Sequence, residues 1–267
     1  MLELRAILRN HLKEKLARNE VAASMTVRLS RSIEIAQIAK TAGFDTLYVD
    51  MEHNTLSIDT TCQICIAAQQ IGITPLVRVP ANTPDYICRV LDGGAMGIIA
   101  PHVRSAAEAQ ELVQLVKFPP LGGRSAGGAL SQYHYRSFPM NETYAAMNDA
   151  TMLVLMVETV AALENVETII GTEGVDMLLV GSNDLCAEMG ITGQYDHPRL
   201  RDAFARTIEA ARNVGKHVGV GGVAARDDLM TQFVQMGARY VSTGTDLAFL
   251  AAACTQKARF VSDIRLS

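Results

Sequence analysis

Asp50-Met51-Glu52-His53 puts three ionisable groups into four residues, directly after the apolar run Thr46–Val49. Arg78 interrupts the otherwise apolar TPLVRV, where an inward guanidinium needs an anionic partner or ligand. Pro101-His102 follow a further apolar run, GIIA. Glu158 ends TMLVLMVE, and a lone carboxylate in such surroundings is costly unless it is paired or holds a cation. Asp184 lies just past Gly181-Ser182-Asn183, at the end of VDMLLVGSND and 26 residues after Glu158. Two carboxylates that leave positions open to water suit a hard divalent cation, Mg²⁺ or Mn²⁺ before Co²⁺ or Zn²⁺. Each residue also has a plainer role to offer. Asp184 is placed to cap the helix DLCAEMG, Glu158 to sit as an acid in a first helical turn, and His53 to cap a helix. Ser182 and Asn183, beside Asp184, are candidate substrate contacts. Neither His102 nor Arg124 acquires a role from its surroundings in the sequence.

The elements that must position these groups repeat one theme. Short apolar runs, Val21–Val27, Thr46–Val49, Thr74–Val79, Gly97–Ala100, Met152–Val157, Met177–Val180, His217–Val220 and Tyr240–Ser242, alternate with helical segments, most of which end in Gly. Continuous apolar strands alternating with helices imply a parallel sheet covered on its outer face. Eight such units imply an α/β fold, a (β/α)₈ TIM barrel of one domain over 1–267. An amphipathic helix over roughly 2–18 precedes the first strand, and a last helix over Asp246–Ile264 is apolar on one side. Such barrels carry their chemistry at the carboxyl ends of the strands, which is where all the residues above fall. The segment 118–150, rich in Gly, Pro, Ser and Tyr, reads as a long functional loop.

Composition closes other doors. The chain has 267 residues, 49% apolar and 19% charged, with a net charge of −4, which is the profile of a globular protein with a large core. No clustered basic face is expected, and with aromatics at 5% and no Trp there is no platform for stacking bases, so nucleic acid is not a partner. No run approaches the ~20 apolar residues of a membrane span, and the amino terminus lacks a signal-peptide pattern, so a cytoplasmic setting is expected. Five cysteines cannot all pair within the chain. The Cys62-x-x-Cys65 motif lies in a helical stretch, with no second pair at zinc spacing, and reads as packing.

GFDTLYVDMEHNTLS, TPLVRVPANTP, LDGGAMGIIAPHVRSAAEA, FPPLGGRSAGG, LVLMVETVAALENVETI and GVDMLLVGSNDLCAEMG together resemble the HpcH/HpaI aldolase/citrate lyase family, in order from about residue 30 to 250. The nearest branch looks like the class II pyruvate aldolases, which include enzymes acting on 4-hydroxy-2-oxoheptanedioate and 2-dehydro-3-deoxyglucarate. The resemblance implies a lyase in which a divalent cation on Glu158 and Asp184 stabilises a pyruvate enolate. Arg78 would contact the keto acid and its developing charge, His53 would be the acid/base residue with Asp92 as partner, and Glu52 would position water. It also implies a hexamer built from dimers that exchange the last helix. No Schiff-base lysine is needed, and none of the strand ends carries one.

Two departures bear on the substrate. Relatives carry Gln two residues before the metal-binding Glu, where this chain has Met156, a position that faces the same way as Glu158 on a strand and so the bound keto acid. The first strand, VAASMTVRLSRS, lacks the usual Gly-Leu-Trp opening and places Arg28 near its end. Alternatives are therefore a biosynthetic C–C bond-forming enzyme on oxaloacetate, like a siderophore-type citrate synthase, and a barrel that only binds a dicarboxylate. A phosphosugar enzyme, suggested by GVGGV and TGT, would leave Arg78, Glu158 and Asp184 unexplained.

Overall fold

A computed structural model describes residues 2–265. Eight parallel strands close a barrel in chain order: β1 (Ala22–Val27), β2 (Thr46–Asp50), β3 (Thr74–Arg78), β4 (Gly97–Ala100), β5 (Met152–Val157), β6 (Met177–Gly181), β7 (His217–Gly221) and β8 (Tyr240–Thr245). Helices follow the strands and cover the outside, as the expected (β/α)₈ pattern requires. No helix among the described residues is long and apolar enough to cross a membrane.

Side chains alternate along each strand, and the two faces have separate cores. Outward residues such as Val49, Val77, Leu155, Val180 and Val220 pack against the surrounding helices. Inward residues form a smaller cluster of Ala22, Tyr48, Leu76, Ile99, Met152, Val154, Met156, Met177, Leu179 and Tyr240. Leu12 and Leu16, from the helix His11–Ala17, join that inner cluster, so the amino-terminal segment stoppers the barrel, and the Leu12 amide donates to Thr74 Oγ1 at 3.1 Å. The sheet closes between β1 and β8, where the pairing register shifts between Ser24 and Thr26.

The amino-terminal segment is two helices, Leu2–Ile7 and His11–Ala17, where one continuous helix is expected from the sequence. Asn10 divides them: its Oδ1 caps the second helix by accepting from the Lys13 amide, and its Nδ2 donates to the Ala150 carbonyl. Segment 118–150 is not loop throughout either, since Met140–Ala150 is helical. The last helix ends at Ser262, two residues before the expected Ile264. All five cysteines are free, and Cys65 of the CxxC is fully buried, in keeping with packing.

One buried lysine needs placing before the chemistry. Lys117 Nζ donates to Asp176 Oδ2 at 3.0 Å and to the Thr151 carbonyl at 2.5 Å, and Lys13 shares Asp176 at 2.7 Å. Burial pushes Lys117 down and Asp176 holds it up. Thr151 and Asp176 immediately precede β5 and β6, so this amine sits at the amino-terminal end of the barrel, away from the strand ends that carry the candidate residues.

Candidate active site

Strand alternation delivers the site. Counting inward from the barrel floor, Ser24 and Thr26 lead to Arg28, Thr46 and Tyr48 to Asp50, Thr74 and Leu76 to Arg78, and Val154 and Met156 to Glu158. Polar and charged groups therefore meet at one mouth, around a cavity lined by Arg28, Arg78, Met156, Asn183, Asp184 and His53 among others. β2 and β3 pair with Asp50 directly opposite Arg78.

Asp50 organises the floor of this cavity. It is fully buried; Oδ1 accepts from Arg78 Nε at 2.9 Å and Oδ2 accepts from Arg78 Nη2 at 2.6 Å. The same Oδ2 accepts from Arg28 Nε at 2.6 Å. Burial alone would raise the Asp50 carboxyl, but the two guanidinium groups hold it below the usual range, so it stays ionised. Asp50 Oδ1 also accepts the amides of Glu52 and His53, which fixes the turn after β2. The third nitrogen of Arg78, Nη1, lies 2.8 Å from Glu52 Oε2. Burial opposes the charge of Arg78, but Tyr48, Asp50 and Glu52 outweigh it and raise its pKa. The guanidinium also rests 5.4 Å from the centre of the Tyr48 ring.

A second cluster lies across the mouth. Glu158 is 2% exposed, and its Oε1 accepts from the His102 amide at 2.6 Å and lies 2.9 Å from His102 Nδ1. His102 Nε2 is 2.8 Å from Glu52 Oε1, so this imidazole spans the two carboxylates. It does so from a left-handed backbone with φ of 61°, a conformation that costs a non-glycine residue about 1–3 kcal/mol. Burial pushes Glu158 up, and nearby Glu52 and Asp184 add to this against the lowering by His102. Gly181 occupies the inward position on β6, and a methyl there would come within 3.2 Å of Glu158 Oε2 and of Met156 Cε. Glycine thus keeps open the space between the carboxylates.

Asp184 lies in the first turn of Ser182–Glu188, facing the cavity rather than capping the helix, whose N-cap is Gly181. Thr159, not Glu158, caps the helix after β5, accepting from the Ala162 amide. Ser182 Oγ is buried without a hydrogen-bond partner among the described residues, and Asn183 Oδ1 accepts from the Tyr195 hydroxyl at 2.6 Å. Met156 is 6% exposed, lines the cavity, and puts its sulfur 4.0 Å from Arg78 Nη1.

The pairing of His53 with Asp92 does not occur within the chain. His53 is exposed at the mouth, with Glu52 Oε2 3.8 Å from its Nε2. Asp92 is held instead by Arg124, whose Nη2 donates to Oδ1 at 2.5 Å. This gives Arg124 a partner that its sequence context did not suggest. The physical reason is placement: Asp92 ends the helix Pro84–Asp92 on the barrel's outside, whereas His53 follows a strand end. Arg28 and His102 are members of the site that spacing alone did not assign. Alternation from Ser24 and Thr26 was the available signal for Arg28.

The donor set fits a divalent cation. Four carboxylates, Asp50, Glu52, Glu158 and Asp184, face the guanidinium groups of Arg28 and Arg78, while Arg226 at the same cavity is matched by Asp196 and Asp228, leaving excess negative charge at the mouth. Glu158 and Asp184 are hard oxygen donors, and among the described residues no group of three or more His, Cys, Asp or Glu converges as a metal cage. Two such carboxylates with positions left open to water suit a hard divalent cation. At Met156, if this position faces the substrate, an amide would offer a hydrogen bond that the thioether does not. Met156→Gln is expected to tighten pyruvate binding in the presence of Mg²⁺ by up to about tenfold, as titration calorimetry would read it. No change in affinity, with only a lower Tm, would make Met156 packing.

Residues 24–253 match the HpcH/HpaI aldolase/citrate lyase family. The chain is 35% identical over 258 residues to the 4-hydroxy-4-methyl-2-oxoglutarate aldolase of Chaetomium globosum, covering 96% of each. It is 31% identical over 261 residues to the 4-hydroxy-2-oxo-heptane-1,7-dioate aldolase of Salmonella heidelberg, covering 97% of this chain and 98% of that one. The crystal structure of an HpcH/HpaI aldolase from Desulfitobacterium hafniense superposes with a TM-score of 0.88 at 28% identity, over 96% of this chain and 98% of that one. With a closed eight-stranded barrel, charged groups gathered at its carboxyl mouth and relatives matched end to end, the chain is a carbon–carbon lyase of the aldolase type and belongs to the HpcH/HpaI aldolase/citrate lyase family.

Proposed function

We propose that this enzyme cleaves and forms the C3–C4 bond of 4-hydroxy-2-oxo acids, with pyruvate as one product, in a site where Glu158 and Asp184 hold Mg²⁺ or Mn²⁺. The observation that carries this reading is the excess of carboxylates over cations around Glu158, in a pocket that also presents Arg78. The two aldolase relatives support the substrate class, since both named substrates contain the 4-hydroxy-2-oxo acid unit. A bound divalent cation supplies Lewis acidity toward the oxygens of the keto acid.

The chain's own groups do the rest. Arg78, fixed by Asp50 and Glu52, keeps positive charge where negative charge grows as the bond breaks, and needs no rearrangement to do so. His53, exposed at the mouth, takes the proton from the C4 hydroxyl in cleavage and returns it in condensation. Glu52, between Arg78 and His102, positions water or the hydroxyl. Ser182, whose hydroxyl lacks a partner, and Asn183 bind the keto acid beside Asp184. Asp92 serves His53 only if it is brought from a second copy, because its place in this chain is on Arg124. The last helix, with its exposed Leu247, Leu250, Phe260 and Val261, supports a homo-oligomer, the hexamer built as a trimer of dimers that the resemblance implies.

The test follows pyruvate itself. In D₂O with Mn²⁺ or Mg²⁺, proton NMR should show loss of the pyruvate methyl signal, and 4-hydroxy-4-methyl-2-oxoglutarate should release pyruvate. Chelator should stop both reactions. Exchange and cleavage that persist in chelator would overturn the metal assignment. Absence of both with metal, together with condensation of oxaloacetate and acetyl-CoA, would overturn the aldolase reading.

A further inference from the structure

The mouth of the barrel presents three guanidinium groups to its cavity: Arg28, Arg78 and Arg226. Two of them have a carboxylate against every nitrogen. Arg78 gives Nε and Nη2 to Asp50 and lies through Nη1 on Glu52. Arg226 gives Nε to Asp228, Nη1 to Asp196, and Nη2 to both. Arg28 gives only Nε, to Asp50 Oδ2, and its two terminal nitrogens have no partner among the described residues. A half-exposed guanidinium with a free pair of donors is a fork shaped for a carboxylate.

This fork is fixed in place. Its Nε is bound to the buried Asp50, and its backbone is tied from the other side. Asp246, itself 8% exposed, accepts the amides of Arg28 at 2.8 Å, Leu29 at 3.0 Å and Ser30 at 2.7 Å. Donors held before binding lose little freedom on binding, which is how a site gains selectivity.

Position then selects the carboxylate. Arg28 Nε and Arg78 Nη2 bond to the same oxygen, Asp50 Oδ2, each at 2.6 Å, so the two guanidinium groups are immediate neighbours. If Arg78 covers the pyruvate half of the substrate, Arg28 lies beside the carbon on the other side of the breaking bond. We propose that Arg28 is the receptor for a carboxylate carried on C4 itself, so that the preferred substrates are the aldol adducts of pyruvate with a second 2-oxo acid. A carboxylate two methylenes farther out, as on a heptanedioate, overshoots this position. In cleavage the C4 hydroxyl loses its proton to the base and C4 becomes the carbonyl of the released 2-oxo acid. The C3–C4 electron pair passes to the pyruvate enolate, which is then protonated at C3. This assignment rests on the aldolase reading of the same site.

The experiment compares two substrates that differ only in this group. They are 4-hydroxy-4-methyl-2-oxoglutarate and 4-hydroxy-4-methyl-2-oxopentanoate, in which a methyl replaces the C4 carboxylate. With full-length protein and Mg²⁺, the wild type should prefer the diacid in kcat/KM. Arg28→Gln should reduce that preference by about 30-fold or more, chiefly through KM, as expected for losing a charge-assisted pair. Arg28→Lys should fall between the two. Methyl-proton exchange of pyruvate is measured on every protein as the gauge of the aldolase site itself. Equal losses on both substrates would overturn the proposal and make Arg28 a support for Asp50, and unchanged diacid cleavage would overturn it outright. Failure of the wild type to exchange pyruvate protons would instead count against the aldolase reading.

Discussion

Glu158→Gln is expected to lose divalent-cation binding and turnover together while keeping its fold. The substitution preserves shape and removes one of only two anionic oxygen donors proposed for the cation. Outer-shell changes at metal sites already cost about 10–100-fold in affinity, so the loss of a direct anionic ligand should cost at least about 100-fold. The cation's contribution to stabilising developing charge is several kcal/mol, and at about 1.36 kcal/mol per decade turnover should drop by about 10³-fold or more. Stability should not follow. Burial and the nearby Glu52 and Asp184 already disfavour the Glu158 charge, so neutralising it should leave Tm unchanged or raised. The amide oxygen of Gln still accepts the His102 N–H that Glu158 accepts. Calorimetric titration with Mn²⁺, thermal melts and pyruvate release with and without chelator are the measurements. Near-normal turnover in chelator would remove Glu158 from the metal site.

Arg78→Lys is expected to behave as a severe substitution. Three nitrogens of the guanidinium meet three carboxylate oxygens, two on Asp50 and one on Glu52, within 2.9 Å. A lysine ammonium is a point charge on a flexible stem and cannot reproduce that planar fork. Losing one preorganised contact to developing charge typically costs about 10²–10³-fold in turnover, and the expected loss in kcat lies in that range. The variant should also melt lower, because the fully buried Asp50 would keep the single Arg28 bond but lose the Arg78 fork, and a poorly matched buried group costs about 1–3 kcal/mol. A kcat within about threefold of the wild type would show that Arg78 holds the barrel mouth together and does not act on the substrate.

The strands were legible in the sequence because buried parallel strands are apolar on both faces, and eight such runs separated by helices admit few arrangements. Their exact carboxyl ends were less so: β2 runs on to Asp50, β6 and β7 to Gly181 and Gly221, and β8 to Thr245, each past the last residue of its apolar run. The helix Met140–Ala150 escaped notice because Pro139 precedes it without a side-chain cap and its flanks are rich in Gly, Ser and Tyr. Glu52, Arg78, Glu158 and Asp184 could be placed near one another because a strand end fixes where a side chain goes. His53 and Asp92, joined by resemblance alone, do not meet within one chain, because the helix end that carries Asp92 lies outside the barrel and His53 follows a strand end. His102 was opaque for a different reason: its part in the site depends on a left-handed backbone, which nothing in Pro101-His102-Val103 announces.

The stopper of Leu12 and Leu16 has an electrical meaning. The Asp50–Arg78 floor rests on Tyr48, Leu76 and Met156, and these lead down to Met152, Met177 and the two leucines, all of them buried. Charges backed by such a medium are screened from one side only. The field of Arg28, Arg78 and the four carboxylates is therefore projected outward through the mouth, toward arriving anions and cations, as a low-dielectric wall focuses field lines in a cleft. The helix His11–Ala17 lies at the amino-terminal end of the barrel, where Leu12 bonds to Thr74 at the start of β3, yet it closes the apolar layer on which the charged mouth rests.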